Sequence, residues 1–279
     1  MTSPLTHARQ RPRAVAILVA AALLLVGLIP VQNAVARDRS GKLPTVVLVH
    51  GAWADASSWT GVATRLQNDG YTVRAIANPL RSLSGDATSV KTFLGTVTGP
   101  IVLVGHSYGG AVITNAATGN PNVKALVYVN AFAPDAGESA TQLAGPDSAL
   151  SADPTTVFDF VPATLPPTPD TELYLKKSTV FTSFATGLSS EDKTIVWATQ
   201  RAATIAALNE PSATPAWRTI PSWYLIGTKD KIIPPAEQRK MAIRAGSTVE
   251  QFDAGHVGLM TDPRAVTRII ERAARATVR

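Results

Sequence analysis

A chain of 279 residues has room for one large domain or two small ones, and 45% hydrophobic with 16% charged residues is the composition of a folded globular protein carrying an extra apolar segment. The formal charge of +6 is mild and includes no run of Lys or Arg, which argues against a nucleic-acid partner. The lack of cysteine excludes disulfides, a lipid-modified cysteine anchor and any cysteine-based metal site or nucleophile.

The extra apolar segment comes first. Arg9, Arg11 and Arg13 precede an uninterrupted apolar run from Ala14 to Ile29, followed by Pro30 and Ala34-Val35-Ala36. A basic region, an apolar region and a small-x-small site describe an export signal over residues 1–36, with cleavage near Ala36 and a secreted or periplasmic product. The alternative is a retained anchor over residues 14–29, but such a run falls short of the roughly 20 residues that span a bilayer comfortably. Removing the signal lowers the formal charge from +6 to +3. Membrane contact is expected only through this segment, if it stays.

After a polar tail, Thr45-Val-Val-Leu-Val49 reads as a buried strand running into His50-Gly51-Ala52-Trp53. Ser57 or Ser58 caps a helix through Leu66 that Gly70 closes. Thr72–Ile76 is the next strand, and Asp86 is read as the cap of a helix reaching about Val97. Ile101-Val-Leu-Val104 is a buried strand, a helix follows over Ala111–Ala117, and Lys124–Val129 is another strand. Strands alternating with helices imply an α/β fold with a mostly parallel sheet and helices on both faces.

From residue 134 to 220 the rhythm breaks under nine prolines. A segment of that length is too long for a loop and reads as a largely helical cap, inserted before the strand that leads to Asp230. One helix is expected inside it, roughly Ser190 to Leu208, with Ile195, Val196, Ala202, Ile205 and Leu208 as its apolar face. The core then occupies residues 37–133 and 221–279. Ser222–Ile226 is a strand, Ala236–Ala245 a helix and Thr248–Phe252 the last strand. Asp262-Pro263 opens the final helix, with Asp as cap and Pro at the first helical position.

Chemistry concentrates at Gly105-His106-Ser107-Tyr108-Gly109, which lies between a strand and a helix. Gly-x-Ser-x-Gly in that setting is a nucleophile elbow, a turn so tight that the serine is strained and side chains at the two glycines would clash. It lifts the Ser107 hydroxyl above the sheet and leaves the Tyr108 N–H at a helix start, able to stabilise an oxyanion. A nucleophilic serine needs a base, and the chain has four histidines. His7 leaves with the signal, His50 sits in the first turn, and His106 would point away from the Ser107 hydroxyl. That leaves His256, in a loop just after the last strand.

For the acid, Asp230 follows the strand Ser222–Ile226 and matches the chain order Ser…Asp…His. Asp135 and Asp253 compete with it. The second oxyanion donor is expected from the turn after the first strand, at the Ala52 N–H. Trp53 is a candidate pocket wall, although a plain core or rim aromatic fits it as well. Ile232, Val257 and Leu259 are candidates for the rest of an apolar pocket. Phe158, Phe160, Phe181, Phe184 and Trp197 are cap aromatics whose facing no spacing decides. No metal site is expected.

Val-Leu-Val-His-Gly-Ala-Trp, Gly-His-Ser-Tyr-Gly-Gly, Gly-Thr-Lys-Asp-Lys-Ile-Ile-Pro-Pro and Ala-Gly-His together resemble the α/β-hydrolase family. The likeness is greatest to the small esterase branch that includes plant methylesterases and hydroxynitrile lyases, and it covers Thr45 to the C-terminus apart from the cap. The resemblance implies a Ser107–His256–Asp230 triad, no cofactor, a site between sheet and cap, and a small ester substrate cleaved through an acyl-enzyme. Two alternatives remain open. One is a ligand receptor of this fold with little turnover. The other is lyase-type C–C cleavage, disfavoured because the related lyases carry Lys after the catalytic His, where this chain has Val257. Oligomeric state is unreadable from sequence.

Overall fold

The computed structural model describes residues 43–277. The export signal expected over residues 1–36 lies outside the described residues. Six strands form one wholly parallel sheet in the order β2-β1-β3-β4-β8-β9: β1 (Thr45–Val49), β2 (Val73–Ile76), β3 (Ile101–Ser107), β4 (Val123–Ala131), β8 (Ser222–Gly227) and β9 (Thr248–Phe252). The helices between them are α1 (Thr60–Asn68), α2 (Leu83–Leu94), α3 (Tyr108–Ala116), α9 (Pro235–Arg244), α10 (Gly258–Thr261) and α11 (Pro263–Ala276). α1 packs with α11, α2 packs with α3, and both pairs help cover the sheet.

Burial on both faces explains the unbroken apolar runs. Val46 to Val49 and Ile101 to Val104 are fully buried, each such side chain stabilising the fold by about 1.5–3 kcal/mol relative to exposure. α11 forms as its sequence dictates. The Asp262 carboxylate accepts the Ala265 N–H at 3.0 Å, Pro263 takes the first turn, and Val266, Ile269, Ile270, Ala273 and Ala274 bury one stripe.

Two helix expectations are corrected. Asp86 does not cap α2, since Ser82 does so by accepting the Gly85 N–H, while Asp86 sits one turn in and fully buried. The 3-10 turn before α1 is capped by Asp55 rather than by a serine.

The inserted stretch holds α4 (Ala140–Ala144), α5 (Pro154–Val157), α6 (Lys177–Thr179), α7 (Ser190–Thr199) and α8 (Ile205–Asn209), together with a small antiparallel sheet unforeseen in sequence. That sheet runs β5 (Phe158–Val161), β6 (Glu172–Leu175), β7 (Ala203–Thr204). The single helix expected over Ser190–Leu208 is therefore two. It breaks after Thr199 because Arg201 gives its carbonyl to the Trp53 N–H at 3.0 Å and Ala203 pairs with Leu173. Long-range hydrogen bonds outweigh the local period, and Ile195 is left 54% exposed.

Candidate active site

The site collects at the carboxyl ends of β1, β3, β4, β8 and β9, where ligands of parallel sheets are bound. The elbow joins β3 directly to α3. Ser107 has φ 54° and ψ −126°, a conformation that costs a non-glycine residue about 1–3 kcal/mol and persists because its surroundings impose it. Both flanking glycines are sterically required. A Cβ on Gly105 would lie 2.6 Å from the Gly109 carbonyl oxygen, and one on Gly109 would lie 2.5 Å from that of Val49.

The Ser107 Oγ lies 2.9 Å from His256 Nε2, and His256 Nδ1 lies 3.0 Å from Asp230 Oδ2 and 3.2 Å from Oδ1. A carboxylate only accepts, so Nδ1 carries the imidazole proton and Nε2 presents its lone pair to the serine hydroxyl. His256 and the Asp230 carboxyl are fully buried. The competing acids are committed elsewhere: Asp135 pairs with Arg218 at 2.6 Å and Asp253 with Lys229 at 2.8 Å.

The two amides expected to face an oxyanion, those of Ala52 and Tyr108, donate no hydrogen bond among the described residues, whereas the neighbouring Trp53 N–H is taken by Arg201. Both lie on the wall of the cavity above Ser107. Gly51 lets this turn approach Ser107, because a Cβ there would lie 2.6 Å from that of Ser107. His50 holds the turn in place: its Nε2 accepts the Asn78 N–H at 2.9 Å, and Asn78 Nδ2 donates to the His50 carbonyl at 3.1 Å. The Tyr108 hydroxyl donates to Asp86 Oδ2 at 2.8 Å, anchoring the residue after Ser107 to α2. Burial raises the pKa of both groups.

Above Ser107 opens a cavity of about 430 Å³. Trp53 and Ile232 line it, as do Phe158 and Phe160 from the small sheet and Ala140 and Ala144 from α4; no Asp, Glu, Lys or Arg does so among the described residues. Val257 and Leu259 are corrected. They line a separate cavity of about 90 Å³ on the other side of Trp53, with His106 and Phe184, because the loop bearing His256 turns its following residues under α7. Trp53 joins core to insertion. Its indole N–H donates to the Leu173 carbonyl at 2.8 Å, and its ring stacks on Phe158 with centroids 5.7 Å apart.

Sequence reasoning missed Asn78, Asp86, Asn130 and Gln238 as partners of the site, and no spacing marks any of them.

Two buried histidines lie beside the site. His106 Nε2–H donates to the His256 carbonyl at 2.9 Å, and His50 Nδ1–H donates to that of Gly51 at 2.9 Å. Burial holds the pKa of His50 below its ordinary value of 6.5 and that of His106 well below it. Between 6.5 and the folded values the unfolded chain binds protons that the native chain refuses. The stability present above pH 6.5 is therefore lost as pH falls, by up to about 1.4 kcal/mol per pH unit for each histidine. Urea unfolding between pH 7.5 and 5.5 should show this slope, reduced in His106→Gln; a flat profile would contradict it.

The residues from 46 to 269 match the model of the alpha/beta hydrolase family, and the chain belongs to that family. It is 36% identical over 110 residues to a carbendazim hydrolyzing esterase of Nocardioides sp. (strain SG-4G), a match spanning 35% of this chain and 46% of that protein. It is 25% identical over 252 residues to the alpha/beta hydrolase nvfD of Aspergillus novofumigatus (strain IBT 16806), covering 83% of this chain and 96% of the relative. Among solved structures, a methylesterase from Arabidopsis shares the fold with a TM-score of 0.68 at 18% identity, over 83% of this chain and 98% of the other.

Proposed function

We propose that the chain is a serine esterase that cleaves small, apolar carboxylic esters by way of an acyl-enzyme. The observation that carries this reading is the Ser107–His256–Asp230 relay at 2.9 and 3.0 Å, opening into an apolar cavity. The esterase named among the relatives points the same way. Ser107 Oγ attacks the ester carbonyl carbon while its proton passes to His256 Nε2. The resulting imidazolium is stabilised by the Asp230 carboxylate. The free amides of Ala52 and Tyr108 receive the oxyanion, and His256 returns the proton to the departing alkoxide. Water, deprotonated by the same nitrogen, then adds to the acyl carbon. The acid leaves and Ser107 recovers its proton. In the same reading residues 1–36 are an export signal, removed near Ala36.

The cavity sets the expected substrate. With no charged residue on its wall among the described residues, it offers nothing to an ionised group, whose desolvation would go uncompensated. Hydrolysis of p-nitrophenyl esters of increasing chain length tests the reading directly. A burst of nitrophenol equal to the enzyme concentration, followed by steady turnover, supports it. A single burst without turnover favours a receptor. In Ala144→Phe, which pushes an aromatic ring from α4 into the cavity, kcat/KM for long-chain esters should drop about 10–100-fold while acetate is spared. Equal loss for both lengths would show that chain length is not read at Ala144.

A further inference from the structure

The Asp230 carboxyl is wholly buried, yet no Lys or Arg pairs with it among the described residues. Its flanking lysines are turned away, Lys229 to Asp253 and Lys231 to the Thr182 carbonyl. Burial of this kind pushes a carboxyl toward its neutral form unless other groups replace the lost water. Its own loop supplies two replacements, the N–H groups of Ile232 and Ile233, which donate to Oδ1 at 2.8 and 3.0 Å.

The other oxygen is served from a distance. Asn130 Nδ2, at the end of β4, donates to Oδ2 at 3.0 Å, and Gln238 Nε2, in the first turn of α9, donates to it at 2.9 Å. Each amide has a second backbone acceptor that fixes its plane. Asn130 reaches the Gly255 carbonyl at 3.3 Å, one residue before His256, and Gln238 reaches that of Ile233 at 2.7 Å. Asn130 adopts φ 45° to do so, in the left-handed region that Asn tolerates better than most residues. The two amides thus tie the acid to β4, to α9 and to the loop that carries the base.

We propose that Asn130 and Gln238 are positioning residues for the reaction, whose amide donors hold the buried Asp230 carboxyl aimed at His256 Nδ1 with no cation paired to it among the described residues. This inference rests on the triad reading above. The choice of group has a reason. A lysine or arginine here would neutralise the carboxylate and weaken its hold on the imidazolium, and a second acid would compete for one proton. A carboxamide donates without adding charge.

Among the described residues, the titratable groups that face Asp230 include His256 from the loop after β9 and Tyr224 from β8, whose hydroxyl donates to the Ala131 carbonyl. From α9 the neighbouring acid, Glu237, is paired with Lys240.

Gln238→Leu, Gln238→Glu and Asn130→Gly are made in the full chain, each with Asp230 intact and with Asp230→Asn, and kcat and KM are followed across pH after folding is checked by circular dichroism. With Asp230 intact, kcat should fall on the order of tenfold or more, the worth of a hydrogen bond to a charged group, at unchanged KM. The acid limb of the profile should move to higher pH, furthest in Gln238→Glu. With Asp230→Asn the same changes should cost nothing further. An unmoved acid limb, or a loss that persists alongside Asp230→Asn, overturns the proposal and leaves the amides a packing role. Asp230→Asn turning over like wild type would overturn the triad reading, and this inference with it. A crippled Asp230→Asn beside silent amide variants removes this inference alone. Should Gln238→Leu not fold, the near-isosteric Gln238→Glu carries the test.

Discussion

Replacing Ser107 by alanine should lower ester turnover by a factor on the order of a million, and replacing His256 by alanine should cost about as much. In the proposed mechanism the two act as one unit. With Oγ gone there is no atom to form the acyl bond, and His256 Nε2, 2.9 Å away, has no proton to take from it. With the imidazole gone the hydroxyl stays protonated and nucleophilically weak. The double variant should therefore be no worse than either single one, its residual rate coming from the oxyanion amides and the cavity. Losses that multiply would mean that serine and histidine serve separate steps. Sustained turnover by folded Ser107→Ala would move the chemistry to another nucleophile. The measurement is kcat for the three variants with a short p-nitrophenyl ester.

Gly109→Ala should abolish the folded state or lower Tm by far more than a surface change does. The new Cβ would lie 2.5 Å from the Val49 carbonyl oxygen and 2.8 Å from that of His50, both backbone atoms at the buried end of β1. Neither can turn aside as a side chain would. β1 and α3 must separate instead, at the place where two fully buried layers meet. Gly119→Ala is the matched control: its φ is 76°, so alanine is strained there, but nothing lies within 4 Å. Strain alone costs about 1–2 kcal/mol, a few degrees of Tm in a chain of this size. Gly109 itself has no positive φ, so its loss reports the collision alone. Thermal unfolding of the two variants compares collision with strain, and a Gly109→Ala shift no larger than that of Gly119→Ala would show that β1 and α3 absorb the new Cβ.

Much of the fold is legible because its signals are local. A parallel strand covered on both faces shows as a run of β-branched and aliphatic residues, as in Thr45–Val49 and Ile101–Val104. The elbow shows because a strained turn demands glycine two residues either side of Ser107. The last helix shows because Asp262 and Pro263 satisfy and pre-shape its first turn. Chain order then singles out Ser107, Asp230 and His256, and the imidazole lies within hydrogen-bond distance of both the serine and the carboxylate.

Where a short-range rule met a long-range partner, the rule lost. Asp86 follows the pattern of a helix cap, yet its carboxylate is claimed by Tyr108. The period over Ser190–Leu208 is helical, yet it yields to a carbonyl needed by Trp53 and a strand needed by Leu173. Val257 and Leu259 adjoin His256 in sequence but face a different cavity. The amides on Asp230 lie 100 and 8 residues from it, with no spacing to announce either. By itself the sequence determined the strands of the parallel sheet, the elbow and the order of Ser107, Asp230 and His256, since each is written in residues a few positions apart whose sterics and hydrogen bonds act within one turn. Only the tertiary structure decided which acids are free, which amides hold the buried carboxylate and which side chains wall the cavity. Those depend on elements that meet in space after tens of residues of intervening chain, where packing and the pairing of buried polar groups decide between options that local sequence leaves equal.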